Sequence, residues 1–143
     1  NLFVAGFIGS PQMNFVDAQC VVEGAKASLK FDNYSIELPE AKAKKLIDGG
    51  YAGKTVIMGI RPEDIYDGAD ELAKFAGSVV ETDVTGYELL GAEVLLYYTL
   101  GGANMTARVD SDTPARYGDH IRLALDTSKI HVFDKDSELT ITN

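Results

Sequence analysis

Cysteine occurs once, at Cys20, so the chain has no disulfide framework and must fold on an apolar core. Cations are also scarce: 13 Lys and Arg stand against 22 Asp and Glu, a formal net charge of −9. Nucleic-acid backbones are held by clustered Lys and Arg, and the densest basic run is only Lys42, Lys44 and Lys45. Nucleic acid is therefore not an expected partner. No apolar run approaches the roughly 18–20 residues of a membrane-spanning helix, and no signal-peptide pattern is visible. The imidazoles, His120 and His131, have no cysteine partner at metal-ligand spacing, and no metal site is assigned.

Catalytic patterns are missing as well. Nucleotide hydrolysis uses a loop of Gly, four residues, then Gly-Lys-Ser/Thr, whose backbone amides and Lys cradle phosphates. Gly49-Gly50-Tyr51-Ala52-Gly53-Lys54-Thr55 has the final tripeptide but one spacer residue too few. It also follows a helical pattern and runs into a strand, the reverse of the strand–loop–helix order the motif requires. It reads as a turn. Ser10, Ser28, Ser78 and Ser111 sit in no nucleophile elbow. Asp110-Ser111-Asp112 and Asp134-Lys135-Asp136 lack the glycine and distant glutamate of a calcium loop. The pairs Glu63-Asp64 and Asp70-Glu71 read as solvated neighbours. No catalytic residue and no cofactor is assigned, so the chain is not expected to be an enzyme.

What is present is alternation. At 143 residues, 45% of them hydrophobic, the chain is long enough for one domain with a substantial core. Val16, Ala18, Cys20 and Val22 alternate with polar residues, as do Ala25, Ala27, Leu29 and Phe31. Asp32-Asn33 predicts a two-residue hairpin turn, and Tyr34, Ile36 and Leu38 carry the return strand. Pro39-Glu40 suits a helix start. Ala43, Leu46 and Ile47 give that helix its core face, its lysines are expected in solvent, and Gly49-Gly50 stops it.

Strand resumes at residues 54–60, and Arg61-Pro62-Glu63-Asp64 turns the chain, with the Arg61 guanidinium available to satisfy carbonyls or a carboxylate. Residues 67–77 read as a loop with one helical turn. Beyond it, residues 77–84 form a strand, and Leu89-Leu90-Gly91-Ala92-Glu93 leads into the longest strand, 94–100. Gly101-Gly102 is a hairpin signal, followed by alternation at Met105, Ala107 and Val109. After the Tyr117-Gly118-Asp119 turn, Ile121, Leu123 and Leu125 alternate, and a final strand at 129–134 precedes a polar tail.

Short strands at this spacing with Gly-rich turns predict an all-β fold, a closed or nearly closed barrel, although a sandwich fits the same pattern. Along 94–100, Val94, Leu96, Tyr98 and Leu100 form a core face, yet the opposite set with Leu95 and Tyr97 is nearly as apolar. Either other parts of the domain cover that side, or Leu95 and Tyr97 belong to a dimer or regulatory surface.

The opening residues show helical spacing: Phe3 and Phe7, and Val4 and Ile8, are four apart before Gly9-Ser10-Pro11 ends the pattern. The chain begins inside this pattern, which suggests a domain taken from a longer protein. Residues 1–12 are read as a helix and linker, and 13–143 as the barrel domain.

Phe3-Val4-Ala5-Gly6-Phe7-Ile8-Gly9-Ser10-Pro11 with Met13-Asn14-Phe15, Gly59-Ile60-Arg61-Pro62-Glu63-Asp64 and Lys129-Ile130-His131-Val132-Phe133-Asp134 occur in an order that resembles one known family. It is the C-terminal regulatory part of ATP-binding subunits of maltose- and multiple-sugar-type ABC importers. The resemblance implies oligonucleotide-binding-type (OB) barrel units, with a transport-associated barrel in the second half. It implies structural roles for Phe3, Phe7, Arg61, Pro62, Glu63, Gly91, Glu93 and His131. It also implies a non-catalytic domain that pairs two subunits and, in some members, receives a regulatory protein. ATP and Mg would belong to a separate ATPase domain, and the other partners would be that domain and transmembrane permease subunits. The location implied is the cytoplasmic face of the bacterial membrane, held there through the permease. A rival reading is a sensor barrel for an oxyanion or sugar, since related transport-associated barrels bind molybdate.

Overall fold

A computed structural model of the chain describes residues 12–143. The expected helix and linker at 1–12, with Phe3 and Phe7, falls almost wholly outside the described residues.

The first meander follows the alternation. Strand β1 (Asn14–Glu23) pairs with β2 (Lys26–Phe31), which pairs with β3 (Tyr34–Glu37). Gly24, at φ +62, makes the first turn, and Asp32, at φ +50, the second. Ala25 is exposed at the first turn instead of continuing the apolar set, because the chain reverses there. Leu29 and Ile36 lie opposite each other and fully inside. Helix α1 (Glu40–Asp48) then buries Ala43 and Leu46. One of its lysines departs from expectation: Lys42 is 7% exposed, because it lies on the face turned toward the C-terminal residues.

Strand β4 (Thr55–Ile60) is buried on both faces. After the tight turn at Pro62–Asp64 come β5 (Ile65–Tyr66) and helix α2 (Ala69–Lys74), then β6 (Val79–Asp83) and β7 (Gly86–Leu89). Strand β8 (Glu93–Leu100) follows, and Gly101-Gly102, at φ +59 and +77, turns it into β9 (Ala103–Asp110). The chain continues with β10 (His120–Leu125), β11 (His131–Asp134) and β12 (Thr140–Thr142).

Three expectations change. The longest described strand is β1, ten residues against eight in β8. Leu90-Gly91-Ala92 leads into β8 not as the start of that strand but as a hairpin turn from β7, a strand that the alternation does not announce. There Gly91 adopts φ +76, and the Leu90 amide donates to the Glu93 carbonyl at 2.8 Å. The polar tail contains β12, which pairs with β11 and buries Thr142. Three residues of mixed polarity carry too little periodicity to announce a strand.

The described strands form three antiparallel sheets, ordered β12-β11-β4-β1-β2-β3, β5-β10-β6 and β7-β8-β9. One core draws Leu29, Met58, Leu96, Tyr98, Leu123 and Val132 from all three sheets. Side chains close the seams between them. The buried Asn14 amide donates to the Thr106 carbonyl at 2.8 Å and accepts from its N–H at 2.7 Å, standing in for a ladder pair between β1 and β9. The Tyr34 hydroxyl does the same for β3 and β6, accepting from Glu81 N–H at 2.9 Å and donating to its carbonyl. A main-chain amide that finds no ladder partner can be satisfied by a side chain, as these two are. Strands β11 and β12, from the second half, complete the sheet that the first half begins.

Candidate functional site

Among the described residues, each of the three sequence blocks that carried the resemblance contributes one residue to a single row across adjacent strands. Phe15 of β1 lies opposite Gly59 of β4, and Gly59 lies opposite His131 of β11. On the face turned away from the main core, Met13, Ile57 and Phe133 form a second, smaller cluster with Phe15 packed against it. Phe15 meets Phe133 edge-on at 5.8 Å between ring centroids, and the His131 ring stacks on Phe133 at 6.5 Å.

Gly59 is glycine for lack of space. A Cβ there would come 2.7 Å from Met13 Sδ and 3.0 Å from Phe133 Cε2. Its Ile60-Arg61-Pro62 continuation then leaves the sheet, because Pro62, itself buried, cannot donate to a ladder.

Beside this row lies a small charged knot. The Lys42 ammonium donates to the main-chain carbonyl of Asn143, and His131 Nδ1 lies 3.2 Å from Asn143 Oδ1. Burial lowers the Lys42 pKa, and the nearby Lys45 charge lowers it further. Burial also depresses the His131 pKa. The hydrogen bond to Asn143 opposes that shift, while the Arg61 and Lys42 charges add to it. Asp64 is pushed up, first by burial and then by Glu63. Arg61 reaches His131 and Asp64 by charge alone. The carbonyl or carboxylate hydrogen bonds expected of its guanidinium are not found among the described residues.

Glu63 and Glu93 face a second feature, a cleft of about 510 Å³. Asp67, Asp70, Glu71, Asp110 and Asp112 line it too, with Arg108 as its cation, 3.8 Å from the Glu93 carboxylate. The sequence pattern does not reveal this cleft, because its acids come from four separate segments brought together by α2, β8 and β9. Gly91 lies at the β7–β8 turn, at φ +76.

Leu95 and Tyr97 have different fates. Leu95 is 7% exposed within the chain itself, although it lies outside both apolar clusters. That takes it off the candidate dimer or regulatory surface and agrees with the covered alternative. Its register neighbours are Glu88 and Arg108. Tyr97 is half-buried, and its hydroxyl donates to Glu88 at 2.6 Å.

The Gly49–Thr55 stretch is a turn. Gly49 caps α1, Gly50 and Gly53 adopt positive φ, and the Gly53 amide donates to the Cys20 carbonyl at 2.7 Å, away from any shared anion cradle. Asp134-Lys135-Asp136 is also a turn. The Asp134 carboxylate accepts from Ser137 N–H, Tyr51 hydroxyl and Asp136 N–H, which holds its pKa at about 2. No group of three or more His, Cys, Asp or Glu placed to hold a metal occurs among the described residues. No described helix is long and apolar enough to cross a membrane.

Two family models match. The MalK OB fold domain covers residues 9–65, and the TOBE domain covers 58–133. The chain is 38% identical to the oligosaccharides import ATP-binding protein MsmX of Bacillus subtilis, over 99% of this chain and 38% of that protein. It is 38% identical to the multiple sugar-binding transport ATP-binding protein MsmK of Streptococcus mutans, over 99% of this chain and 37% of that protein. It is also 38% identical to the trehalose/maltose import ATP-binding protein MalK of Thermococcus litoralis, over 94% and 36%. The chain thus spans little more than a third of each relative. Among solved structures, the molybdate-binding protein ModG superposes with a TM-score of 0.60 at 14% identity, over 88% of this chain and 97% of that one, a likeness of fold alone. By these matches the chain belongs to the TOBE domain family of sugar-importer ATP-binding proteins, with the MalK OB fold domain as its first half.

Proposed function

We propose that the chain is the non-catalytic regulatory and dimerisation module of the ATP-binding subunit of a carbohydrate ABC importer. The observation that carries this reading is the match to three sugar-import ATP-binding proteins over nearly all of this chain but about a third of theirs. In this reading ATP and Mg bind in a separate ATPase domain, which couples hydrolysis to sugar uptake through permease subunits at the cytoplasmic face of the membrane. The row at Phe15, Gly59 and His131 would be the rigid base on which that domain is mounted, since Met13, just ahead of β1, packs into the small cluster there. The module would hold two subunits together while their ATPase domains open and close. Leu95 is too buried to take part in that contact.

Sedimentation of the isolated chain tests the pairing, and titration with Mg-ATP tests the absence of catalysis. A reversible dimer without saturable heat at millimolar ATP is expected. A strict monomer at high protein concentration would remove the dimerisation role, and a saturable ATP site would remove the non-catalytic one.

The oxyanion-sensor reading has one observation in its favour, the gathering of Arg61, Lys42, Lys45 and Lys129 around the charged knot. Asp64 and Asp126 stand within the same group and compensate those charges, so the module reading is preferred. A thermal-shift increase with molybdate would reverse that preference.

A further inference from the structure

Strand β7 is the outer strand of its sheet, and its residues are exposed from Tyr87 onward. The Leu90–Glu93 hydrogen bond closes the hairpin, and facing pairs in an antiparallel ladder alternate from that point. Glu88 opposite Leu95 is therefore a hydrogen-bonded pair, whereas Tyr87 opposite Leu96 and Leu89 opposite Val94 are not. The main-chain N–H and C=O groups of Tyr87 and Leu89 consequently point away from β8, toward the open edge.

The side chains on that edge are equally unusual. Tyr87 and Leu89 share the sheet face of the buried Leu96 and Val94, yet they are 39% and 66% exposed. Leu90 at the turn is 45% exposed. The Arg116 guanidinium sits 5.2 Å from the Tyr87 ring centroid, fixed by bonds to the Thr113 and Ala115 carbonyls. Glu88 points to the opposite face, which continues through Glu93 and Asp110 into the acidic cleft. Edge strands are normally blunted by short length, charge, Pro or a bulge; β7 is four residues long and carries one charge, Glu88, with no Lys or Pro along it.

We propose that β7 is the docking edge for an extended segment of another protein, added antiparallel as a fourth strand of the β7-β8-β9 sheet. Strand addition uses main-chain bonds for affinity and alternate side chains for specificity. The segment would read apolar–basic–apolar: its apolar residues cover Tyr87 and Leu89, and its Lys or Arg lies beside Glu88. Charge decides against a second copy of this chain as the occupant. The two-fold register that engages both open residues is centred on Glu88, so two copies would set Glu88 against Glu88 between chains that each carry −9. The inference does not depend on the importer reading, since it rests on the edge alone.

The test uses the chain with a short peptide of alternating valine and lysine, capped at both ends, followed by amide NMR and hydrogen exchange. The expected result is saturable binding with new protection of the Tyr87 and Leu89 amides. Methylating the peptide main-chain nitrogens that face β7 should weaken binding about tenfold, the loss expected for two hydrogen bonds. A Glu88→Lys chain should instead prefer a valine–glutamate peptide. Three results would overturn the proposal. One is absence of binding at millimolar peptide. Another is binding centred on the acidic cleft and indifferent to N-methylation, which would mark charge attraction only. The last is protection of Tyr87 and Leu89 that grows with protein concentration alone, which would make the occupant a second copy.

Discussion

The row through Phe15, Gly59 and His131 and the β7–β8 hairpin are both antiparallel β-structure, yet they stand at opposite extremes of burial. In the row, β4 has neighbours on both edges and apolar clusters on both faces. At the hairpin, β7 has one neighbour, and its residues are exposed from Tyr87 onward. A strand paired and covered on all sides is fixed by packing, so its residues are chosen for volume. A strand paired on one side is held chiefly by main-chain bonds, and its exposed side chains are available for recognition.

The comparison breaks most visibly at the core. Replacing Leu29, fully buried opposite Ile36, with Ala is expected to cost about 2–5 kcal/mol in chemical denaturation. A loss below about 0.5 kcal/mol, the range of surface substitutions, would mean that the meander register is wrong. Next comes Gly59→Val. Its added carbons must displace Met13, Phe133 and Phe15, an overpacking expected to cost about 1–3 kcal/mol. An unchanged denaturation midpoint would show that the small cluster yields freely and is no rigid base.

The two histidines sharpen the contrast through pH. His131 lies in the row with its pKa lowered from 6.5, chiefly by burial, so the unfolded chain binds more protons between the folded pKa and 6.5. Its contribution to stability is present above 6.5 and is lost as pH falls through the depressed folded value. His120 lies exposed on the rim. The hydrogen bond to Asp83, 2.8 Å away, raises its pKa above 6.5. Its contribution is present below 6.5 and is lost as pH rises through the folded value. Proton NMR titration should order the two with His131 below 6.5 and His120 above it, and the reverse order would contradict both environments.

The smallest effect belongs to the hairpin. Leu89→Ser, at a side chain 66% exposed, is expected to change stability by no more than about 0.5 kcal/mol. A larger loss would mean that Leu89 is covered and unavailable for docking.

Much of the fold was legible because alternation is a local signal. Leu29 and Phe31, and Met105 to Val109, each announce which face is buried within a few residues of chain. The Gly101-Gly102 and Asp32-Asn33 turns were legible for the same reason, since positive φ selects a few residue types. The β7–β8 turn was missed because apolar Leu89 and Leu90 flank Gly91 and imitate a continuing strand. Lys42 was misread, and Leu95 was left between two alternatives, because burial depends on what packs across from a residue. For Lys42 that partner lies about a hundred residues away in sequence.

By itself the sequence determined the strand periodicity, the turns, the acidic balance and the family blocks, because each is written in neighbouring residues. Only the tertiary structure decided that those blocks share one row and that Asn14 and Tyr34 close the seams between sheets. It alone decided that the C-terminal strands complete the N-terminal sheet and that β7 is left open. The physical reason is that non-local pairing is chosen by the global register of the chain. A residue's alternation says that it has an inside face, and only the assembled sheets say what lies there.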